Sequence, residues 1–424
     1  MSAAPETCEV AIVGGGLVGA CVATLLADAG IVSPGRIVML EPRPPRKPDP
    51  AAGIDLRVSA VSRASQRILA ACGVWDDLMA ERASPYERMC VWDAAAQVDA
   101  PSAVRFDCAD VGEPDLGHIV ENRRMQWALL ERARALGVRI VGSGVRALRR
   151  EGSGLDIELE SGASLRATLV IAADGAESPT RRMMDIEVSV SEHGRAVVTH
   201  IRTQESHQRT AWQRFLPSGP IALLPLHDGR SSIVWSTTDE HARELMSLDA
   251  TAFCRVVEAA TDRALGTVPE CAARADFPLR SSHAQRYVDD SFVLVGDAAH
   301  AVHPLAGQGV NLGFLDAAAL AQVLGAARTK GEGLGDRRVL RRYERWRKGE
   351  NLVMLNALDG INRLFSNEDR WLGTARRAGF ALTNRVGVLK EFFTRRALGT
   401  SGDLPEIARA SRRSLRTARD ARGQ

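Results

Sequence analysis

The chain has 424 residues, a formal net charge of +3, and 45% hydrophobic against 25% charged residues, an ordinary soluble globular balance with length for two or three structural units. So small a net charge, with aromatics at only 5%, excludes a surface built for nucleic acid. Seven cysteines at irregular spacing, none in a CxxC pair, read as free thiols in a reducing compartment, and His300 with His303 supplies only half of a four-ligand set, so no metal is expected.

Residues 10–27, VAIVGGGLVGACVATLLA, carry no charge over eighteen positions, the lower edge of membrane-spanning length. The residues before them, MSAAPETCE, lack the basic flank of a signal peptide, and the glycines within 14–19 break the run. A buried strand, a turn and a helix ending at Gly30 are expected instead. Gly14, Gly16 and Gly19 form G-x-G-x-x-G. In such a loop the first glycine permits the tight turn, the second lets backbone approach a pyrophosphate, and the third lets the helix pack on the strand. A second apolar run, Ile37 to Leu40, ends in Glu41, 22 residues after Gly19. A carboxylate there accepts from a ribose diol and disfavours a 2′-phosphate, so the segment reads as a dinucleotide site that is not for NADP.

Residues 42–50, PRPPRKPDP, read as an exposed loop after that second strand. At 168–182, TLVIAADGAESPTRR, a buried strand delivers Asp174-Gly175 to a turn. Between 183 and 285 the segments AVVTHIRT, QRFLPSG, IALLPL and SSIVWSTT predict short strands of a mixed sheet, a substrate domain. At 292–313, FVLVGDAAHAVHPLAGQGVNLG, Phe292 to Val295 is another core strand, with Asp297 at its C-terminal end, where open α/β sheets bind ligands. A glycine-bearing loop then enters the helical run VNLGFLDAAALAQVL. An aspartate at a strand tip can bind ribityl hydroxyls, and a helix start can face the charge at N1 and the C2 carbonyl of a reduced flavin. Met354, Leu358, Ile361 and Phe365 fall at helical spacing, and the Arg-rich end, IARASRRSLRTARDARGQ, reads as a solvated tail or as a contact for an anionic membrane or an assembly partner.

These segments together, Gly14-x-Gly16-x-x-Gly19 with Glu41, Asp174-Gly175, and Gly296-Asp297 with HPLAGQGVNLG, resemble the fingerprints of class A flavoprotein aromatic hydroxylases. DLRVSAVSRASQRILAACGVWDDL (55–78), HIVENRRMQWALLERA (118–133), GPIALLPL (219–226), HPLAGQGVNLGFLDAAALAQVL (303–324), YERWRKGENLVMLNALDGINRLF (343–365) and ALGTSGDLP (397–405) are similar to the ubiquinone-biosynthesis hydroxylases. The resemblance runs nearly end to end.

It implies an α/β fold like that of p-hydroxybenzoate hydroxylase: a Rossmann-like FAD-binding domain of glutathione-reductase type, an inserted mixed β-sheet substrate domain, and a C-terminal helical segment. The expected division is 1–78, 105–182 and 286–340 for FAD, 79–104 and 183–285 for substrate, and 341–424 for C-terminal helices and basic tail. The resemblance further implies non-covalent FAD, NAD(P)H or another electron donor, and dioxygen as co-substrate, with one oxygen passing from a C4a-hydroperoxyflavin to the ring of a polyprenylated phenol or quinol. Gly14, Gly16, Gly19 and Glu41 would hold the ADP half. Arg57 and Asp297 would serve the pyrophosphate and ribityl oxygens, Asn122 would lie near the adenosine, and Asp174 would serve FAD or the reductant. Pro304, Gly307, Gly309 and Asn311 would line the isoalloxazine edge, with Leu224 and Pro225 facing substrate. His303 is the one candidate for proton work; no other general base is singled out. A cytoplasmic protein at the inner membrane surface or in a biosynthetic complex is expected, with oligomeric state open. Three alternatives stand beside this reading: a same-fold hydroxylase of a small soluble phenol, an FAD-dependent prenyl reductase, and a non-catalytic FAD-binding scaffold.

Overall fold

The structure is a computed structural model, described here at residues 5–302, 308–365, 399 and 401–409. Val10 to Val13 are buried throughout, as a central parallel strand covered on both faces requires. The strand Glu6–Val13 pairs in parallel with Ile37–Leu40 on one side and Ser164–Ala172 on the other. Arg139–Val141 and Phe292–Leu294 extend these two neighbours, again in parallel. An antiparallel hairpin, Val145–Glu151 with Gly154–Leu159, flanks Ser164–Ala172. Helix Leu17–Asp28 packs against helices Asn122–Leu136 and Gln308–Thr329. The apolar run at 10–27 is thus the strand, turn and helix expected from its glycines. Because these strands are parallel, the segments after Val13, Leu40, Ala172 and Leu294 leave from one edge of the sheet. Ligands of open α/β sheets bind at that edge.

The second sheet has nine strands. Its spine is Val188–Arg202, with Ala275–Ala284 on one side and Ser231–Thr237 on the other, continuing through Gly219–Pro225, Thr210–Leu216, Arg88–Asp93 and Val104–Asp107. Strand alternation gives it two apolar faces. Val197, Ile201, Ile221, Ile233 and Trp235 point outward and pack with Phe253 and Val257. These last belong to helix Ala250–Ala260, which with Asp239–Ser247 covers that face. Sequence reasoning predicted only strands here. The missed signals were the capping residues Thr238 and Asp249, whose side chains accept from His241 N and Ala252 N. Ala196, Val198 and Leu279 face the opposite way, with Leu56, Val234 and Phe277.

A small third sheet joins Val58–Ser62, Gly117–Glu121 and Ser84–Tyr86. Strand Val104–Asp107 runs across the expected boundary at 104 and joins the large sheet, while Ser84–Tyr86, inside the expected substrate segment 79–104, pairs into the small sheet. The two-residue strand His300–Ala301 pairs with Ser282 and His283, stitching the chain after the parallel sheet onto the large sheet. One described helix, Gly309–Thr329, is long and apolar enough to cross a membrane, but 78% of its apolar window is buried inside the fold.

Candidate cofactor site

Gly14 adopts φ +102°, and a Cβ there would lie 2.4 Å from the Ala173 carbonyl oxygen. A Cβ on Gly19 would lie 2.0 Å from the Gly14 oxygen, so helix and turn approach too closely for any side chain. Gly16 differs: nothing lies within 4 Å of its Cβ position, leaving open space at the helix start. That start has no side-chain cap and no acidic residue in its first turn, so its free N–H groups and positive dipole end suit a pyrophosphate. Glu41 accepts from Gly15 N at 2.8 Å and from Arg43 N at 2.9 Å. A carboxylate offers about four acceptor positions, so capacity remains for a ribose diol. Gln126, which sequence reasoning missed, donates to the Gly15 oxygen at 2.8 Å and braces this loop from a neighbouring helix. Its only local signal is its place in the segment 118–133, HIVENRRMQWALLERA.

Asp174 is held by the turn that follows it. Its Oδ2 accepts from Thr180 N at 3.0 Å and Thr180 Oγ1 at 2.8 Å. Its Oδ1 is buried and has no partner among the described residues, an acceptor awaiting a ligand hydroxyl or amide. Arg181 donates to Ala298 O and to Ala176 O, both at 2.8 Å, and so clamps the Asp174 loop to the Gly296–Ala298 turn. This clamp was also missed.

Asp297 sits in that turn with its side chain exposed, yet closely surrounded by protein. Loss of hydration to the surrounding fold is the largest influence and raises its carboxyl above the usual range, while His300 and Arg57 draw it down. Arg57 lies over the Phe277 ring at 5.6 Å. Arg57, Asp297 and Phe277 therefore converge beside the apolar inner face of the large sheet. Asn122 holds the Arg57 segment in place. Its N donates to Arg57 O at 3.0 Å, and its Oδ1 accepts from Ser59 Oγ at 2.7 Å. Asn311 is 3% exposed and bridges to strand Val58–Ser62, accepting from Ser62 N at 2.9 Å and donating to Ala60 O at 2.8 Å. Leu224 and Pro225 are buried in strand Gly219–Pro225, with Leu224 packed against Ala60 and Ile119 of the small sheet. Gly309 lies in the first turn of helix Gln308–Thr329, with Val302 the nearest side chain among the described residues. His303, Pro304 and Gly307 lie outside the described residues.

Behind the Asp297 turn is a buried polar network that sequence reasoning did not find. Asp316, fully buried, accepts from Gly296 N at 3.1 Å, from Arg347 Nε at 2.8 Å, and from Asn351 Nδ2 at 3.3 Å. Its Oδ2 lies 2.5 Å from His300 Nε2. Burial alone would raise its pKa, but His300 and Arg347 outweigh burial and hold the carboxyl well below the usual range. His300 stacks on Tyr287, whose hydroxyl lies 3.0 Å from His283 Nε2. His300, half of the H-x-x-H pair in the sequence, is a partner of Asp316.

His283 is pushed down to about 4, first by burial and then by the charges of His300 and Lys348. In the unfolded chain it takes a proton near 6.5. The unfolded state thus binds more protons between these values, so stability is fully present above 6.5 and is lost as pH falls toward 4. For this half-buried group the loss is about 1–2 kcal/mol after screening. Urea-unfolding midpoints at neutral and mildly acid pH should show a smaller acid loss in His283→Gln; an identical loss in both proteins removes the assignment.

Three comparisons bear on this site. The family model "FAD binding domain" matches residues 7–353. The chain is 38% identical over 395 residues to the 3-demethoxyubiquinol 3-hydroxylase of Escherichia coli, covering 92% of this chain and 98% of that one. It is 37% identical over 412 residues to the ubiquinone hydroxylase UbiL of Rhodospirillum rubrum, covering 96% and 94%. Among solved structures, the p-nitrophenol 4-monooxygenase of Pseudomonas putida matches with a TM-score of 0.74 at 22% identity, over 93% of this chain and 98% of that one, a likeness of fold.

Proposed function

The chain belongs to the FAD binding domain family, and from that premise we propose that it is an FAD-dependent monooxygenase hydroxylating the ring of a polyprenylated phenol or quinol in ubiquinone synthesis. The observation that carries this reading is near end-to-end identity of 37–38% with a 3-demethoxyubiquinol 3-hydroxylase and a ubiquinone hydroxylase. The residues present fit the cofactor: an open helix start at Gly16, acceptor capacity on Glu41, and an orphan oxygen on Asp174.

Reduced FAD, when bound, supplies the electrons that split dioxygen, one atom entering the ring and the other leaving as water. The chain's own residues bind, orient and keep water out. Gly14, Gly16 and Gly19 admit the pyrophosphate, and Glu41 takes the ribose diol. Asp297 takes ribityl hydroxyls, with Arg57 beside it as counter-charge. Asp174 Oδ1 takes a further donor of the cofactor or of the reductant. The inner apolar face, with Val198, Leu279, Phe277 and Leu56, covers the reacting ring and excludes bulk water. We assign Leu224 and Pro225 to the wall along which the prenyl tail runs, since each methylene buried there contributes about 0.8 kcal/mol. His303, Pro304, Gly307, Gly309 and Asn311 are assigned to the flavin edge, with His303 the candidate proton carrier. The protein works in the cytoplasm at the inner membrane surface, where such a substrate resides.

The test is turnover of the FAD-loaded enzyme on a prenylated phenol with a chemical or nicotinamide reductant under isotopically labelled dioxygen. One labelled oxygen in the product is expected. Product formed without dioxygen would identify a reductase, and label found only with a tail-free phenol would identify a hydroxylase of small phenols.

A further inference from the structure

Helix Arg337–Phe365 has two working faces. Inward, Tyr343 donates to Leu294 O at 3.1 Å and Arg347 reaches Asp316, so this face bolts onto the strand and turn that carry Asp297. Outward, it forms one wall of a cavity of about 490 Å³ lined by Arg286, Arg337, Arg341, Arg345, Lys348 and Glu344. Five cations meet one carboxylate there, a surplus of four where the entire chain has a formal net charge of only +3. The single carboxylate is already engaged, accepting from Tyr287 N at 2.7 Å. Arg286 reaches Met184 O and Asp289, and Lys348 reaches Gln285 O. Arg337, Arg341 and Arg345 are exposed and form no ion pair among the described residues, although the chain's arginines are paired at many other places.

The cationic stripe ends in apolar residues. Leu352 lines the same cavity and is 38% exposed; Val353 beside it is 54% exposed. Along the helix, positions 337, 341, 345 and 352 share a face through steps of three and four residues. A surface with cations at one end and apolar side chains at the other matches a phospholipid, whose phosphate is anionic and whose adjoining region is apolar. An acidic protein or a free nucleotide would use the arginines and leave Leu352 and Val353 without a purpose.

We propose that this face of helix Arg337–Phe365 docks the protein on a membrane surface rich in anionic phospholipid, with Arg337, Arg341 and Arg345 at the phosphates and Leu352 with Val353 dipping below them. Such docking depends on this surface alone and holds for any substrate. Docking through this helix leaves the Asp297 turn on the helix's far side from the membrane, because the inward residue Arg347 holds that turn through Asp316 and Tyr343 holds the strand before it.

The FAD-loaded full chain is to be floated with phosphatidylcholine vesicles and with phosphatidylcholine–phosphatidylglycerol vesicles. Flotation with the anionic vesicles alone is expected, falling as salt rises because the attraction is screened. Each basic residue at such a surface strengthens binding about fivefold. The exposed pair Arg341→Glu with Arg345→Glu should therefore lower partitioning by tenfold or more with the flavin absorbance intact. Leu352→Asn with Val353→Asn should lower it less. A chain ending at Arg409 should still float, because the tail beyond it is not the dock. Absence of flotation with anionic vesicles, full flotation of the charge-reversed pair, or loss of flotation in the shortened chain overturns the proposal.

Discussion

Asp316→Ala should destabilise the fold by about 3–5 kcal/mol, the usual cost of removing one partner from a buried ion pair. Asp316 is completely buried and Arg347 and His300 are nearly so, so no solvent stands ready to replace the carboxylate. Removing it leaves the Arg347 guanidinium with Asn351 Oδ1 as its remaining described acceptor, at 2.9 Å. It also releases Gly296 N, so the Asp297 turn loses its rear anchor. The urea-unfolding midpoint measures the first effect and the affinity for FAD the second. Asp316→Asn keeps the shape and a carbonyl acceptor, and should recover part of the FAD affinity but little of the stability. A midpoint for Asp316→Ala close to that of the parent protein would show that the network is not needed for folding.

Asp297→Ala should do the reverse. The side chain is exposed, and loss of hydration to the surrounding fold already disfavours its charge, so removing it should move stability by only about 0.5 kcal/mol, in either direction. In the proposed role, its loss removes a charge-assisted hydrogen bond to the cofactor, worth about 1.5–3 kcal/mol, which is roughly a 10- to 100-fold larger FAD dissociation constant. Titrating the apoprotein with FAD by flavin fluorescence reads this directly. Unchanged affinity would remove Asp297 from the cofactor site. The two aspartates are nineteen residues apart and belong to one structural unit, yet one should control folding and the other binding.

The raised carboxyl of Asp297 and the depressed carboxyl of Asp316 share one neighbour. His300 lies next to both and counts as a favourable charge for each. For Asp316 that charge and Arg347 prevail over burial. For Asp297 the surrounding protein prevails, with Arg57 and His300 the only favourable charges of note. A cofactor hydroxyl that donates to Asp297 would stabilise its ionised form further, since hydrogen bonding to the charged form favours it.

Much of this protein was legible before any coordinates, because the relevant signals are local. The spacing of Gly14, Gly16 and Gly19 after a buried strand announces a turn where backbone, ligand and helix come close, and Glu41 follows at the distance one helix and one strand impose. Asp174 and Asp297 each stand after an apolar run, and the parallel pairing of those runs brings all of these segments to one edge of the sheet. What only the tertiary structure decided is which side chains brace that edge. Gln126 reaches Gly15, Arg181 reaches Ala298, and Asn311 reaches strand Val58–Ser62 across 249 residues. Asp316 meets Arg347 and His300 inside the fold although its surroundings in sequence, GFLDAAAL, read only as a helix. Helical and strand periodicity records which face of an element is buried, but it carries no address for the partner on another element. A polar side chain in a buried helix face is costly alone and stable when paired, and only the packed fold determines which of the two it is.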